Sequence, residues 1–214
     1  MREEDKREEA QLFVNCEYTK QNEESKKFSV VGVELPNTPY AFVDGSFNPD
    51  TGVYGYGGFL CVGDKKYPLM GAGCKSDMAS MRNVAGEISG AMAAVKKAEE
   101  LGIREITMFY DYKGIEQWAT GSWKTNKSAT QEYANFMSPD NRKVMIQFQH
   151  VKGHTGVEGN ELADVMAKTA VGIPLRPKQQ ELYDRLDIVM DIKKERPLPV
   201  VMNEALSKED VQLV

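Results

Sequence analysis

Tyr40-Ala-Phe-Val-Asp44-Gly45-Ser46 carries one carboxylate at the end of an apolar run. Tyr40, Phe42 and Val43 have the aromatic and β-branched character of a packed strand, and Asp44 falls where another core residue is expected. A carboxylate buried without a partner is costly, so it ends up neutral, hydrogen-bonded or bound to a metal. The residues that the fold brings to Asp44 therefore decide what this chain does.

Outward from that strand (about 40–47), Asn48-Pro49-Asp50-Thr51-Gly52 is a strong turn cluster. A second strand over about 54–62 contains Gly55, Gly57 and Gly58, which marks close backbone approach to a neighbour or ligand. Gly63-Asp64-Lys65-Lys66 turns the chain, and 67–73 returns as a third strand, so an antiparallel meander is expected. A helix follows, with Asn83 as its N-cap and Gly102 as its stop. Val84, Ile88, Ala91, Val95 and Ala98 form its buried stripe, and Glu87 lies beside that stripe, aimed at the sheet.

Glu105–Tyr110 reads as a buried strand that delivers Asp111 at its C-terminal end. A helix with Ile115, Trp118 and Ala119 leads into a polar loop, Gly121–Lys127, in which Lys124 and Lys127 flank Trp123. A helix over 128–137, a strand over Val144–His150 and a loop from His154 into a helix over Asn160–Lys168 complete the pattern. Three antiparallel strands followed by αβ units describe an α/β domain with a mixed sheet and helices on both faces.

The chain has 214 residues, 41% hydrophobic and 28% charged, enough for one domain of ordinary size with appendages. No apolar run approaches the roughly 20 residues that span a bilayer, and no signal peptide opens the chain, so no membrane partner and a cytoplasmic location are expected. Cys16, Cys61 and Cys74 lack ligand spacing and read as buried thiols, with no disulfide-linked partner. Residues 1–38 are expected to be a mostly flexible extension, with Phe28–Leu35 compatible with a further strand. Residues 172–214 form a C-terminal extension, in which Lys178–Ile192 can make a helix with Leu182, Leu186, Val189 and Ile192 on one face. The net charge of −5 is unusual for a nucleic-acid binder. Between Ala41 and Val171, however, 15 Asp+Glu face 14 Lys+Arg. With Asp44, Glu87, Asp111 and Asp164 set aside, that stretch is mildly basic, which permits a polyanionic substrate.

Those four acids are the candidate site. Carboxylates that converge repel one another and persist at neutral pH with cations among them. An all-oxygen set favours magnesium or manganese over zinc. Two such ions about 4 Å apart suit in-line displacement at phosphorus. Taken singly, each acid has a plainer reading, since an Asp at a strand end is more often a turn or cap residue.

Four motifs in order carry a resemblance: Asp44-Gly-Ser, Arg82-Asn-Val-Ala-Gly-Glu87, strand-end Asp111, and His154-Thr-Gly-Val-Glu-Gly-Asn-Glu-Leu-Ala-Asp164. Over about 39–171 the chain resembles type 1 ribonuclease H, in a bacterial or phage-type form. The resemblance implies a ribonuclease H-like fold with a five-stranded mixed sheet. It implies endonucleolytic hydrolysis of the RNA strand of an RNA–DNA hybrid, leaving 5′-phosphate and 3′-hydroxyl ends. Two Mg²⁺ ions, or Mn²⁺, are implied as cofactors, with Asp44 bridging them, Glu87 and Asp111 on one and Asp164 on the other. His154 would move protons or aid product release; without the resemblance it reads as a surface loop histidine.

For the substrate, the resemblance points to the backbone around Gly45 and Ser46, to Arg82 and Asn83, and to Asn160 and Glu161 near the site. Trp123, Lys124, Thr125 and Lys127 resemble the segment that lies along the DNA backbone, the plainer reading being a core Trp with solvated lysines. Many family members insert a basic helix and loop before that segment, whereas only Ala119–Ser122 intervene here. Arg82 stands where a phosphate-pocket Thr is common, and no viroplasmin-like module precedes the domain. The competing readings are a catalytically silent hybrid-binding module of the same fold and a transposase- or resolvase-type nuclease acting on DNA.

Overall fold

The computed structural model describes residues 33–185. The meander forms as its turns dictate: β1 (Tyr40–Asn48), β2 (Val53–Val62) and β3 (Lys65–Gly73) pair antiparallel. After a one-turn helix α1 (Ser76–Ala79) come α2 (Asn83–Glu100), β4 (Glu105–Tyr110), α3 (Gly114–Ala119) and α4 (Ser128–Met137). Then follow β5 (Met145–His150), α5 (Glu158–Ala170) and α6 (Pro177–Asp184). The sheet order is β3-β2-β1-β4-β5, with β4 parallel to both β1 and β5. This is the mixed sheet that the strand pattern implies.

Strand alternation divides the core into two layers. Ala41, Val43, Tyr56, Leu60, Ile106 and Met108 face α2, α3 and α4, meeting Ile88, Ala91, Val95, Ile115 and Tyr133. On the opposite face Phe42 stacks on Phe109, with centroids 4.5 Å apart, beneath α5. Bare backbone allows both layers to sit close. A Cβ on Gly45 would collide with the backbone of Asn83 and Glu87, and one on Gly57 with that of Ala163 and Ala167. Helices α2 and α5 thus press on neighbouring positions of the sheet from its two sides.

Several boundaries differ from the sequence reading. Asn83 is the first residue of α2 rather than its N-cap; Arg82 takes the cap position with φ 54° and makes no side-chain cap bond. The turn between α1 and α2 explains this, since Val84 and Ala85 donate their N–H groups to the carbonyls of Met81 and Arg82. Val84 is only half-buried, while Ala85, Gly86 and Glu87 are buried, so the covered stripe is rotated towards Glu87. At the other end Gly102 (φ 69°) closes the helix as expected, with Gly102 N bonded to Glu99 O and Ile103 N to Ala98 O.

Strand β5 is an exposed edge, its Met145 62% accessible. Cys61 is buried but Cys74 only half-buried, and no disulfide joins them. Residues 33–35 lie outside any strand, and 28–32 fall outside the described residues, as does Cys16. Within the Lys178–Ile192 helix, Leu182 lies on α6; Leu186, Val189 and Ile192 lie outside the described residues. Among the described residues no helix is long and apolar enough to cross a membrane.

Gly57→Ala is expected to destabilise the fold by about 2 kcal/mol or more, read by urea unfolding, because neither backbone beside it can give way. Unchanged stability would show that the contact between α5 and the sheet is looser than this.

Candidate active site

The two parallel strands aim the residues just beyond their pairing into one place. β1 and β4 pair only as far as Phe42 and Phe109. Asp44 and Asp111 each follow two residues later, so alternation sends both carboxylates to the face on which those phenyl rings stack. Carboxyl ends of parallel strands are where open α/β sheets form their crevices. Across the antiparallel pair Asp44 lies opposite Gly57, the residue under Ala163 and Ala167, and that contact carries Asp164 alongside. Glu87 arrives from the other layer, where Gly86 and Gly45 touch backbone to backbone.

Asp44, Glu87 and Asp111 converge, with one oxygen from each within 4.8 Å of the others. Asp44 and Glu87 are buried, and Glu87 Oε2 has no hydrogen-bond partner among the described residues. Gly45 N–H donates to Asp44 Oδ1 at 2.7 Å. Burial, reinforced by the charges of Asp111 and Asp164, pushes Asp44 up to about 7. Burial and the charges of Asp44 and Asp111 push Glu87 well above the usual carboxylate range. The two carboxyl groups face each other closely, so the pair favours holding a proton.

This donor set fits a hard divalent cation. The ligands are all oxygen, neither His nor Cys belongs to the group, and an orphaned carboxylate oxygen is sealed inside. Asp164 stands apart from the three. It is buried, but its Oδ2 accepts from Lys168 Nζ at 2.6 Å and from Gln179 Nε2 at 2.9 Å.

Around Asp111 the loop after β5 closes in. A Cβ on Gly153 would lie 2.6 Å from Asp111 Oδ2, so the loop carrying His154 rests against that carboxylate. His154 itself is exposed, with φ 56°, a left-handed conformation that His adopts more readily than most residues. Asn160 is only 2% accessible, and its amide faces Asp111 Oδ2 at a long 3.4 Å. That places it behind the carboxylate rather than on the open surface. Glu161 is half-buried on the first turn of α5. His150 Nε2 lies 3.0 Å from the Asp111 carbonyl oxygen, and a carbonyl can only accept, so this nitrogen carries the proton.

A second group of expected residues gathers apart from the carboxylates. Trp123 is 42% exposed and meets Trp118 edge-on at 5.9 Å, so it is a surface indole and not a core one. The short connection produces this: Trp123 N–H bonds to Gln117 O at 2.9 Å and folds the loop back on α3. Beside it a cavity of about 360 Å³ is lined by Tyr112, Trp118, Lys124, Lys127 and Met81, the last of these adjoining exposed Arg82 and Asn83. Thr125 is half-buried in the same loop, while Ser46 is buried on β1.

His150, Gly153, Lys168 and Gln179 were not singled out by sequence reasoning. The four-residue step from Asp164 to Lys168 was a legible signal for one of them. Nothing in the sequence points from Gln179 to Asp164.

A five-stranded mixed sheet with a carboxylate crevice at the ends of its parallel strands is the ribonuclease H-like fold. A family model for RNase H matches residues 37–172. The ribonuclease H of Francisella philomiragia is 30% identical over 151 residues, covering 63% of this chain and 91% of that protein. That of Albidiferax ferrireducens is 28% identical, covering 66% of this chain and 99% of its own. The RNase H1 structure from the archaeon Halobacterium salinarum aligns at 23% identity and TM-score 0.48, covering 64% of this chain and 98% of that one. The chain belongs to the ribonuclease H family and is an enzyme of that kind.

Asp44 and Glu87 have folded-state pKa values raised above the unfolded ones, so their stabilisation is fully present below about pH 4. For Asp44 it is lost as pH rises towards and through about 7, and for Glu87 as pH rises above the usual carboxylate range. In chelator, Glu87→Gln should therefore gain stability relative to wild type over that window, by roughly 1–3 kcal/mol at neutral pH. Melting temperatures of the two proteins from pH 4 to 8 check this; parallel curves would show that Glu87 is not confined as described.

Proposed function

We propose that residues 39–171 form the catalytic domain of an endonuclease that hydrolyses the RNA strand of RNA–DNA hybrids. Cleavage would leave 5′-phosphate and 3′-hydroxyl ends. The convergence of three carboxylates from three separate elements, with one oxygen sealed and unpartnered, carries the reading. Asp44, Glu87, Asp111 and Asp164 would hold two divalent cations, Mg²⁺ or Mn²⁺. When bound, such ions supply an activated water and charge stabilisation at the leaving oxygen.

The chain's own part is placement. Gly45 N–H and the burial of Asp44 keep its carboxylate in one orientation, while Asn160 and Gly153 hold Asp111 from behind. His154, exposed on a loop with glycines on both sides of its turn, is free to carry a proton to or from the scissile region. Backbone groups at Gly45 and Ser46, with Glu87, would detect the 2′-hydroxyl that distinguishes RNA, while Asn83 would bond on the DNA and minor-groove side and Arg82 would grip phosphate. Glu161 would sit near the scissile phosphate. The indole of Trp123, with Lys124, Thr125 and Lys127, would lie along the DNA strand and its phosphates.

Cleavage assays on hybrid, duplex DNA and duplex RNA test the assignment. Hybrid alone should be cut, chelator should abolish cutting, and Asp111→Asn should lower the rate by about 100-fold or more while retaining hybrid binding. A wild type that binds hybrid without cutting it would identify a silent module; cutting of duplex DNA would identify a different nuclease.

For the binding surface, replacing Lys124 and Lys127 together by Ala should reduce the slope of log K against log salt for hybrid binding by about 2. An unchanged slope would move the DNA strand elsewhere.

A further inference from the structure

Among the described residues, Asp164 is the site carboxylate that an ammonium group contacts. Lys168, one turn along α5, places Nζ on Oδ2, and Gln179 adds its amide to the same oxygen. Gln179 belongs to α6, beyond residue 172 where the family match ends. Its orientation is fixed by a second bond, since its Oε1 accepts the Arg176 N–H at 3.1 Å. An amide whose oxygen is held by a backbone donor must present its NH₂ elsewhere, and a carboxylate can only accept. Pro177 begins α6 and Gln179 sits at its third position, so the first turn of the helix itself holds this side chain in place.

We propose that Gln179 is a positioning residue that, together with Lys168, latches Asp164 in the metal-free enzyme and weakens the second cation site. The proposal rests on the reading of the four carboxylates as metal ligands. Two donors on one oxygen stabilise the metal-free anion and draw charge from it. A cation that takes Oδ2 must displace both donors, and one that takes the other oxygen meets a weaker ligand. The segment after the family domain therefore sets the divalent concentration at which the site fills. Asp44, Glu87 and Asp111, whose oxygens converge on one another, form the tighter position.

Mn²⁺ titration of the full-length chain, followed by calorimetry and by the electron paramagnetic resonance signal of free ion, tests this without nucleic acid. Wild type should bind one ion tightly and a second weakly. Gln179→Met should tighten the second by about ten-fold, the scale of one hydrogen bond to a charged group, and leave the first unchanged. A merely structural role moves the second ion the other way or not at all, because a loosened α6 leaves Asp164 less well placed. A second ion unchanged or weakened in Gln179→Met overturns the latch. Should that variant fail to fold, Gln179→Asn, one methylene too short to make both bonds, gives the same reading. A wild type that binds no Mn²⁺, or binds it equally with Asp111→Asn, overturns the metal-centre reading itself.

Discussion

Mutual repulsion of carboxylates held in a dry crevice is the constraint on which the rest of this structure turns. Asp44, Glu87 and Asp111 lie close enough to share one ligand sphere, and two of them are shut away from water. Nothing about such a cluster is favourable by itself, so the remainder of the fold must hold it together. The force comes from apolar layers on both sides of the sheet, where Phe42 and Phe109 stack under α5 and Val43 and Met108 pack towards α2. Burial and the neighbouring carboxylates hold Glu87 well above the usual carboxylate range, so the crevice favours a proton where no cation balances it. The arrangement that costs stability is thus the one that makes a cation welcome.

The same constraint explains the glycines. Gly45, Gly57 and Gly86 are sites where helix backbone meets strand backbone, and any side chain there would lift a carboxylate-bearing helix from the sheet. Lifting α2 would withdraw Glu87, and lifting α5 would withdraw Asp164. Gly153 acts similarly on the loop side, since its bare Cα lets the chain lie on Asp111. Close packing is usually considered for its contribution to stability; here it also fixes the separation between charges.

Much of this was legible from the residues. The run that ends in Asp44-Gly45, the strand that ends before Asp111, and the tilt of Glu87 towards the sheet each follow from period and residue type, and the elements fall where those patterns set them. What stayed hidden was long-range or conformational. The sequence marks Asn83 as a cap because of its side chain, yet the turn at Met81 and Arg82 supplies backbone partners first and shifts the cap to Arg82. Whether Trp123 faces water or core depends on one backbone bond to Gln117, which no spacing encodes. Asn160 reads as a substrate-side group at a helix start, but the first turn of α5 buries it against Asp111.

The four carboxylates are alike in chemistry and unlike in environment, and that difference follows from where they reside. Asp44 lies within β1, Asp111 directly follows β4 and Glu87 faces the sheet, so Asp44 and Glu87 are buried and Asp111 half-buried against them. Asp164 sits on a helix whose neighbouring turn is polar, which admits Lys168, and whose far side is covered by α6, which admits Gln179. In the proposed two-cation site these environments would make the two positions unequal. The first would be set by burial and the convergence of three carboxylates, so its filling would be coupled to folding. The second would be set by competition with Lys168 and Gln179 on Asp164, and so by the segment that carries Gln179.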